Sequence, residues 1–194
     1  EISSSDWSSD VCSSDLFCLG LSLLGGYNKI PLDNDFVRLG SNVIKSKIKV
    51  LFPEVQNVDG FDIISARSQV VRGTNLMLKC KYGQVTFCVE MHFPLGSEYP
   101  FISSIKGVKH AKPLIGGYNW KEIEDEEKLV NMISELHRGK FGTKINKVTG
   151  LREKVIRGTV YSHLIYTDNQ SNLYSLIASK SSSDDIEIKY HQKA

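Results

Sequence analysis

The residue types that could do covalent or metal chemistry are few and scattered. The five histidines are His92, His110, His137, His163 and His191. Neither a His-x-x-x-His nor a Cys-x-x-Cys spacing occurs, so the sequence predicts no metal site and no cofactor. A Cys–His hydrolase would use Cys80 or Cys88, but a catalytic thiol needs a neighbouring base and a cleft, and both cysteines fall in predicted hairpin strands. The prediction is therefore a protein that is not an enzyme, with such a hydrolase kept as an alternative.

Two short stretches suggest binding instead of catalysis. They are Gln69, Val70, Val71, Arg72 and Gly73, and, 85 residues later, Lys154, Val155, Ile156, Arg157 and Gly158. Each stretch has an apolar pair, a cation and a glycine, which suits the tip of a hairpin. Glycine supplies the positive φ of the turn, and aliphatic side chains at a tip remain available to another protein. One copy alone could be an ordinary turn, but two copies with matching neighbours favour a binding element.

A second repeat supports a duplicated architecture. Leu23-Leu24-Gly25-Gly26-Tyr27-Asn28 recurs 91 residues later as Leu114-Ile115-Gly116-Gly117-Tyr118-Asn119. The two repeats together predict two copies of a unit of about 85 to 90 residues, a size that can hold its own core. We place the join near Lys109–Pro113, and so expect domain 1 at 23–112 and a degenerate domain 2 at 113–194.

The beginning of the chain is expected to carry no fold. Residues 6–16 match the translated frame of a common sequencing-library adapter, so we interpret 1–16 as an artefact. The apolar run that follows has the length of a signal-peptide core, and 17–22 is interpreted as a truncated signal-peptide remnant. A buried strand or the tail of an upstream repeat are the alternatives. A secreted protein is the expectation, with a cytoplasmic or lysosomal location left open.

The composition is that of an ordinary globular protein. It is 41% hydrophobic and 24% charged, with a net charge of +2. The lysines and arginines are spread along the chain, so there is no electrostatic footprint for nucleic acid. No apolar run is long enough to span a membrane. The sequence therefore predicts neither a nucleic-acid partner nor a membrane partner.

Hydrophobic periodicity in the first copy predicts one helix followed by strands. Apolar residues at helical spacing indicate a helix over 33–52, and strand patterns begin at Phe61. A two-residue turn at Gly83-Gln84 would pair Tyr82 with Val85, Cys80 with Phe87, Leu78 with Val89 and Leu76 with Met91. This register puts Cys80 and Cys88 on opposite faces, so we expect two thiols and no disulfide between them.

The second copy repeats the order. A helix is predicted over 123–137, and strands over 145–155, 159–167, 173–178 and 185–191. One helix and several strands, twice, predict an α+β class in which an antiparallel sheet of four to five strands packs on one helix.

These features together resemble the cystatin family of papain-like cysteine protease inhibitors, and the resemblance covers the chain from about Leu23 to Ala194. Gly25 and Gly26 match the family's amino-terminal glycines, and Gln69, Val71 and Gly73 match its Gln-x-Val-x-Gly tip. Pro94 matches the proline of its second tip, where Leu95 replaces the usual tryptophan. In the second copy Gly116, Gly117 and Gly158 match, but Lys154 and Ile156 depart from the tip pattern, and Ser182-Ser183 replace Pro-Trp.

The resemblance implies two tandem cystatin-like domains, each a sheet wrapped around one helix. It also implies reversible, non-covalent inhibition of papain-like, cathepsin-type cysteine proteases, mainly by domain 1. The implied protease-binding residues are Gly25, Gly26, Gln69, Val70, Val71, Arg72, Gly73, Pro94 and Leu95. The second-domain candidates are Gly116, Gly117, Lys154, Val155, Ile156, Arg157 and Gly158. The alternatives are a non-inhibitory binding module with the same fold, and a tandem with one inhibitory and one spacer domain or with two binding domains.

Overall fold

The computed structural model describes residues 26–55, 60–97, 99–108, 117–137, 145–181 and 186–194. Contacts along the chain divide it into two compact units. The first comprises Glu1–Val43 and Asn57–Lys112, and the second comprises Ile44–Gln56 and Pro113–Ala194.

Several sequence predictions fall outside the described residues and stay predictions. They concern the adapter-derived segment 1–16, the signal-peptide remnant 17–22, the join near 109–113, Gly25, Gly116, Ser182 and Ser183. Gly26 and Gly117, the second glycine of each predicted pair, are described.

Five antiparallel strands of the first unit form one sheet in the order in which they follow one another along the chain. They are β1 (Asn28–Ile30), β2 (Phe61–Val71), β3 (Gly73–Tyr82), β4 (Val85–Pro94) and β5 (Phe101–Gly107). Leu76, Leu78 and Cys80 alternate along β3 and have no exposed surface. One face of the central strands is therefore the core face, as the period of two requires.

The predicted register of the β3–β4 hairpin is confirmed. The observed pairs are Tyr82 with Val85, Cys80 with Phe87, Leu78 with Val89 and Leu76 with Met91. Cys80 and Cys88 are both buried free thiols, and Cys88 pairs with Lys79, one position away from Cys80. The register was predictable because a slip of one residue would move the whole apolar set to the other face.

Helix α1 (Asp35–Leu51) begins and ends with recognisable signals. The Asn34 side chain accepts a hydrogen bond from the Phe36 N–H at 2.9 Å, which caps the first turn. Val37, Ile44, Ile48 and Leu51 form the buried stripe. Phe36 and Leu39 share the helical spacing but are 39% and 43% exposed, because the buried stripe runs through Val37 instead.

The two halves of α1 group with different units. Residues 35–43 belong to the first unit, where a Cβ added to Gly40 would lie 2.8 Å from Leu76 Cδ2 and 3.2 Å from Leu78 Cδ1. The helix therefore lies directly on the core face of β3. Residues 44–51 belong to the second unit, where Lys47 Nζ donates a hydrogen bond to the Ala194 carbonyl at 3.0 Å.

The second unit also has a five-stranded antiparallel sheet, in the order β10-β9-β8-β7-β6. Its strands are β6 (Asn119–Lys121), β7 (Ile145–Ile156), β8 (Thr159–Asp168), β9 (Leu173–Lys180) and β10 (Ile186–Lys193), and its helix is α2 (Glu126–His137). Asp125 caps α2 by accepting from the Lys128 N–H at 2.9 Å. Ile133 of α2 packs into a core that includes Leu164 and Leu176.

The predicted fold class, α+β with two cystatin-like domains each wrapped around one helix, was wrong. The described residues are mostly β: two antiparallel five-stranded sheets and only two short helices, of 17 and 12 residues. The hydrophobic period located both helices, but it cannot show which sheet each part of a helix packs on. Since α1 is divided between the units, the units do not each own one complete helix.

Neither of the two helices in the described ranges is long and apolar enough to cross a membrane.

Candidate protein-binding surface

The first tip consists of Val70, Val71, Arg72 and Gly73, where β2 turns into β3. Val71 pairs directly with Gly73, so Arg72 alone connects the two strands. Gly73 has a φ of 116°, a conformation that L side chains rarely adopt. Val70 and Val71 are 78% and 43% exposed. The turn therefore presents two aliphatic side chains at the end of the first sheet.

The loop from β4 to β5 begins beside the first tip. Pro94, the last residue of β4, pairs with Gly73. The Ser97 N–H donates to the Pro94 carbonyl at 3.1 Å and closes a turn in which Gly96 has a φ of 78°. Leu95, within this turn, is 84% exposed. Both predicted apolar segments of the first unit thus lie at the same end of one sheet.

The glycine segment before β1 runs toward the same end. Asn28 pairs with Ser68 in an antiparallel register, so the residues before Asn28 run alongside the residues after Ser68. The pairing ends at Asn28, and Gly26 lies in the bend that precedes β1.

Tyr27 fixes this segment to the sheet. Its hydroxyl donates a hydrogen bond to Glu90 Oε1 at 2.5 Å. Burial, reinforced by the Glu90 carboxylate, raises the pKa of the Tyr27 hydroxyl. The hydroxyl therefore keeps its proton, and the bond that holds the segment persists at neutral pH.

Gly73 lies where two backbones approach closely. A Cβ added to Gly73 would overlap the Phe93 carbonyl oxygen and would lie 3.2 Å from Cε1 of His92. The carbonyl belongs to the backbone and cannot rotate away. The first tip therefore requires glycine at this position for its packing as well as for its φ.

One exposed aromatic residue beside these segments was not among the predicted binding residues. Tyr99, in the β4–β5 loop, is 81% exposed. Its N–H donates to Ser97 Oγ at 3.2 Å, and Ser97 Oγ donates back to its carbonyl oxygen at 3.2 Å. The sequence signal was available, since Tyr99 comes two residues after Ser97, where the turn that begins at Pro94 ends. We define the contact surface as Val70, Val71, Leu95 and Tyr99.

The second tip, Val155–Gly158, is built differently from the first. Ile156 pairs with Thr159, so two residues, Arg157 and Gly158, form the turn, with φ of 50° and 81°. Val155 and Ile156 are 63% and 41% exposed. A Cβ added to Gly158 would meet no atom within 4 Å. This is a two-residue hairpin turn, whereas the first tip turns through Arg72 alone.

The change of turn shifts the register of the second hairpin by one residue. In the first unit Gln69 pairs with Asn75, whose side-chain amide donates to Gln69 Oε1 at 3.2 Å. Lys154, which corresponds to Gln69, pairs instead with Tyr161. The Lys154 ammonium lies 4.4 Å from the Tyr118 ring centroid and 5.3 Å from that of Tyr161. It therefore makes cation–π contacts in place of an amide hydrogen bond.

The glycine segment of the second unit keeps the local geometry of the first. The Asn119 side-chain amide donates to the Gly117 carbonyl at 3.2 Å. The corresponding amide of Asn28 donates to the Gly26 carbonyl at 3.4 Å. The repeat seen in the sequence thus has a matching hydrogen bond, from an asparagine side chain to a glycine carbonyl, at both positions.

A buried cation, Arg152, makes an ion pair and several ring contacts within the second unit. Arg152 is 1% exposed, and its Nη1 donates to Glu54 Oε1 at 2.6 Å. Its guanidinium carbon lies 4.9 Å from the Phe52 ring centroid and 5.3 Å from those of Tyr118 and Trp120. Burial lowers the pKa of Arg152, and Glu54 counteracts that effect. This ion pair joins the segment after α1 to β6 and β7.

His163 lies beside this cation and is held neutral. Its Nε2 lies 2.7 Å from Ser175 Oγ, and its Nδ1 lies 3.4 Å from Arg152 Nη1. Because a guanidinium can only donate, Nδ1 accepts and the proton is on Nε2, which donates to Ser175. Burial, followed by the charge of Arg152, lowers the pKa of His163 to about 3. The folded protein therefore resists protonation of this ring, whereas the unfolded chain protonates it near pH 6.5.

The difference between the folded and the unfolded pKa of His163 predicts that the protein loses stability in acid. Because the folded pKa of His163 lies below the unfolded one, its contribution is complete above about pH 6.5 and declines as the pH falls toward 3. At pH 5 the loss should be about 2 kcal/mol relative to a residue that does not titrate. His163→Gln, which keeps a donor for Ser175, should remove this part of the pH dependence. Denaturant unfolding at pH 7 and pH 5 measures it, and equal pH dependence in both proteins would contradict the prediction.

The described residues offer little for covalent or metal chemistry. Burial raises the pKa of the Cys80 thiol to about 12, so it is protonated at neutral pH and is a poor nucleophile. Within the same ranges, no three His, Cys, Asp or Glu side chains are grouped to hold a metal ion.

No model of a known protein family matches the chain, and no curated protein matches it significantly.

Proposed function

We propose that the protein is a reversible, non-covalent inhibitor of papain-like cysteine proteases of the cathepsin type, and that the first unit carries the inhibitory surface. The observation that carries this proposal is that the first tip and the β4–β5 loop begin side by side at one end of one sheet, toward which the segment before β1 runs. Such an edge can enter a cleft, because small residues allow backbone to approach backbone. It needs no catalytic group to block a substrate.

The contact surface supports this proposal by its chemistry. Val70, Leu95 and Tyr99 are each more than three-quarters exposed. Apolar and aromatic side chains that lose water in a complex supply most of the binding energy of an interface. They are mounted on hydrogen-bonded turns, which limits the entropy lost on binding.

Arg72 has a secondary role in the proposal. It is exposed between the two valines and the turn glycine. A rim charge of this kind affects the rate of association with an acidic protease surface more than the strength of the final complex.

A binding module that does not inhibit proteases is the second candidate. It is favoured by the second tip, where the shifted register replaces the amide pair of the first tip with cation–π contacts. In that case the contact surface would hold a partner without blocking a catalytic cleft. A secreted setting is part of the main proposal and depends on the apolar run before residue 25 of the sequence.

The test is a titration of papain and a cathepsin with the full chain, followed with a fluorogenic peptide. The full chain is needed because the second unit includes 44–56, which a cut between 112 and 113 would separate from it. The proposal expects reversible inhibition that is relieved by excess substrate. Binding to either protease without loss of its activity would favour the second candidate, and no binding to any papain-like protease would exclude the main proposal.

Leu95→Ala should weaken inhibition by about 10- to 30-fold, since it removes roughly 2 kcal/mol of apolar burial from the complex. The matched control is Leu32→Ala, because Leu32 is also an exposed leucine of the first unit, at 50%, but follows the other end of β1. The control should inhibit like the unmodified protein. Equal effects of the two substitutions on the inhibition constant would show that Leu95 does not contact the protease.

A further inference from the structure

One row of side chains crosses four strands directly behind the first tip. Gln69 of β2 pairs with Asn75 of β3, which pairs with His92 of β4, which pairs with Phe101 of β5. Residues that face one another across strands share one face of the sheet. In the sequence His92 is one of five scattered histidines, and only the register brings it behind the tip.

The hydrogen bonds in this row have a fixed direction. Asn75 Oδ1 lies 2.7 Å from His92 Nδ1, and a carbonyl oxygen can only accept, so His92 Nδ1 carries the proton and donates. The Asn75 amide nitrogen in turn donates to Gln69 Oε1 at 3.2 Å. Both ends of the Asn75 side chain are therefore engaged, and Asn75 connects His92 to Gln69.

The ring of His92 also supports the tip directly. A Cβ added to Gly73 would lie 3.2 Å from His92 Cε1 and 3.3 Å from its Nε2, so the ring lies against the turn glycine. On its other side the ring packs against Phe101, with centroids 5.3 Å apart at a tilt of 54°. His92 is thus held between the first tip and the strand that follows the β4–β5 loop.

We propose that His92 is the positioning residue of the inhibitory edge, acting on Gln69 through Asn75 and on Gly73 by direct contact. This inference rests on the proposed function. A tip that is ordered before binding loses less entropy in the complex, so the support should slow dissociation more than it speeds association.

The second unit does not repeat this support. Because of the shifted register, Lys154 pairs with Tyr161, which in turn pairs with Ser179. The Lys154 ammonium lies over the Tyr161 ring, so the amide-to-amide hydrogen bond of the first unit is replaced by a cation–π contact. We therefore assign the inhibitory edge that His92 supports to the first unit.

Two substitutions in the full chain test the role. His92→Ala removes both the donor and the ring, and we expect inhibition of papain to weaken about tenfold, mainly through faster dissociation. His92→Asn places a side-chain N–H close to the position of Nδ1, and we expect it to restore most of the affinity. The control is His191→Asn, since His191 makes a 2.7 Å hydrogen bond of its own to Tyr166 in the second unit. The control should inhibit like the unmodified protein.

Hydrogen exchange of the free protein provides a readout that does not need a protease. His92→Ala should speed exchange of the amides from Val71 to Asn75 and leave the rest of β3 and β4 protected. Faster exchange throughout both strands would overturn the inference, because His92 would then support the whole sheet. Unchanged exchange at the tip, or no recovery with His92→Asn, would also overturn it. If no papain-like protease is inhibited by the unmodified protein, the proposed function fails, while the exchange result still decides the role of His92.

Discussion

Gly73→Ala is expected to reduce inhibition of papain by about 100-fold or more, because about 3 kcal/mol is a usual scale for forcing an extra group into a packed site. The added Cβ would overlap the Phe93 carbonyl, and the φ of 116° strains any L side chain. Relief of the overlap would have to move the first tip away from β4. That displacement separates Val70 and Val71 from Leu95, and the contact surface loses its arrangement.

Gly158→Ala is a closely matched control. Gly158 is the turn glycine of the second tip, also has a positive φ, of 81°, and has no atom within 4 Å of an added Cβ. Alanine at this position should cause only backbone strain, which costs about 1 kcal/mol of local stability. We expect inhibition to be unchanged. Equal losses of inhibition in the two variants, measured at the same protease concentration and with folding checked by circular dichroism, would contradict the role given to the first tip.

Arg152→Met should destabilise the second unit by about 3 kcal/mol, because removal of one partner from a buried ion pair leaves the other uncompensated. Arg152 is 1% exposed and its partner Glu54 is 28% exposed. Methionine roughly fills the volume of the side-chain stem but replaces neither the charge nor the cation–π contacts with Phe52, Tyr118 and Trp120.

Trp120 can report this change. The chain has two tryptophans, and with Trp7→Phe in the background the fluorescence on denaturant unfolding comes from Trp120 alone. Arg38→Met is the control, since the Arg38–Asp35 pair is 71% and 79% exposed and should contribute less than about 0.5 kcal/mol. Adding Glu54→Gln to Arg152→Met should cause no further loss. Similar unfolding free energies for Arg152→Met and Arg38→Met would show that the buried pair does not stabilise the unit.

Local patterns predicted the elements of this protein well. The β3–β4 register was predictable from a two-residue turn and a period of two, since both act between neighbours in sequence. Both helices lie where a 3.6-residue period marked them, although α2 begins at Glu126 and not at Ile123. The predicted α+β class was wrong because the described residues are mostly strand, in two five-stranded sheets with only two short helices, and the pattern also does not show how α1 is shared between two units.

The candidate site was predictable only in part. The exposed valines of the first tip and Leu95 follow from composition, since aliphatic residues at a turn cannot reach the core behind them. Tyr99 and His92 were missed because neither belongs to a repeated motif. The roles proposed for Tyr99 and His92 depend on which strand ends lie next to one another in the sheet.

The sequence by itself determined the two duplicated tips, the need for glycine in each turn, and the alternation that buries one face of β3 and β4. These are short-range effects of backbone sterics and apolar burial. Only the tertiary structure decided that the tips differ. The second tip has two turn residues where the first has one, and this difference shifts the register of the second hairpin by one position. Lys154 therefore lies over tyrosine rings, whereas Gln69 is connected through Asn75 to His92. Similar tip sequences thus acquire different supports because cross-strand partners depend on register, and the register depends on whether the turn contains one residue or two.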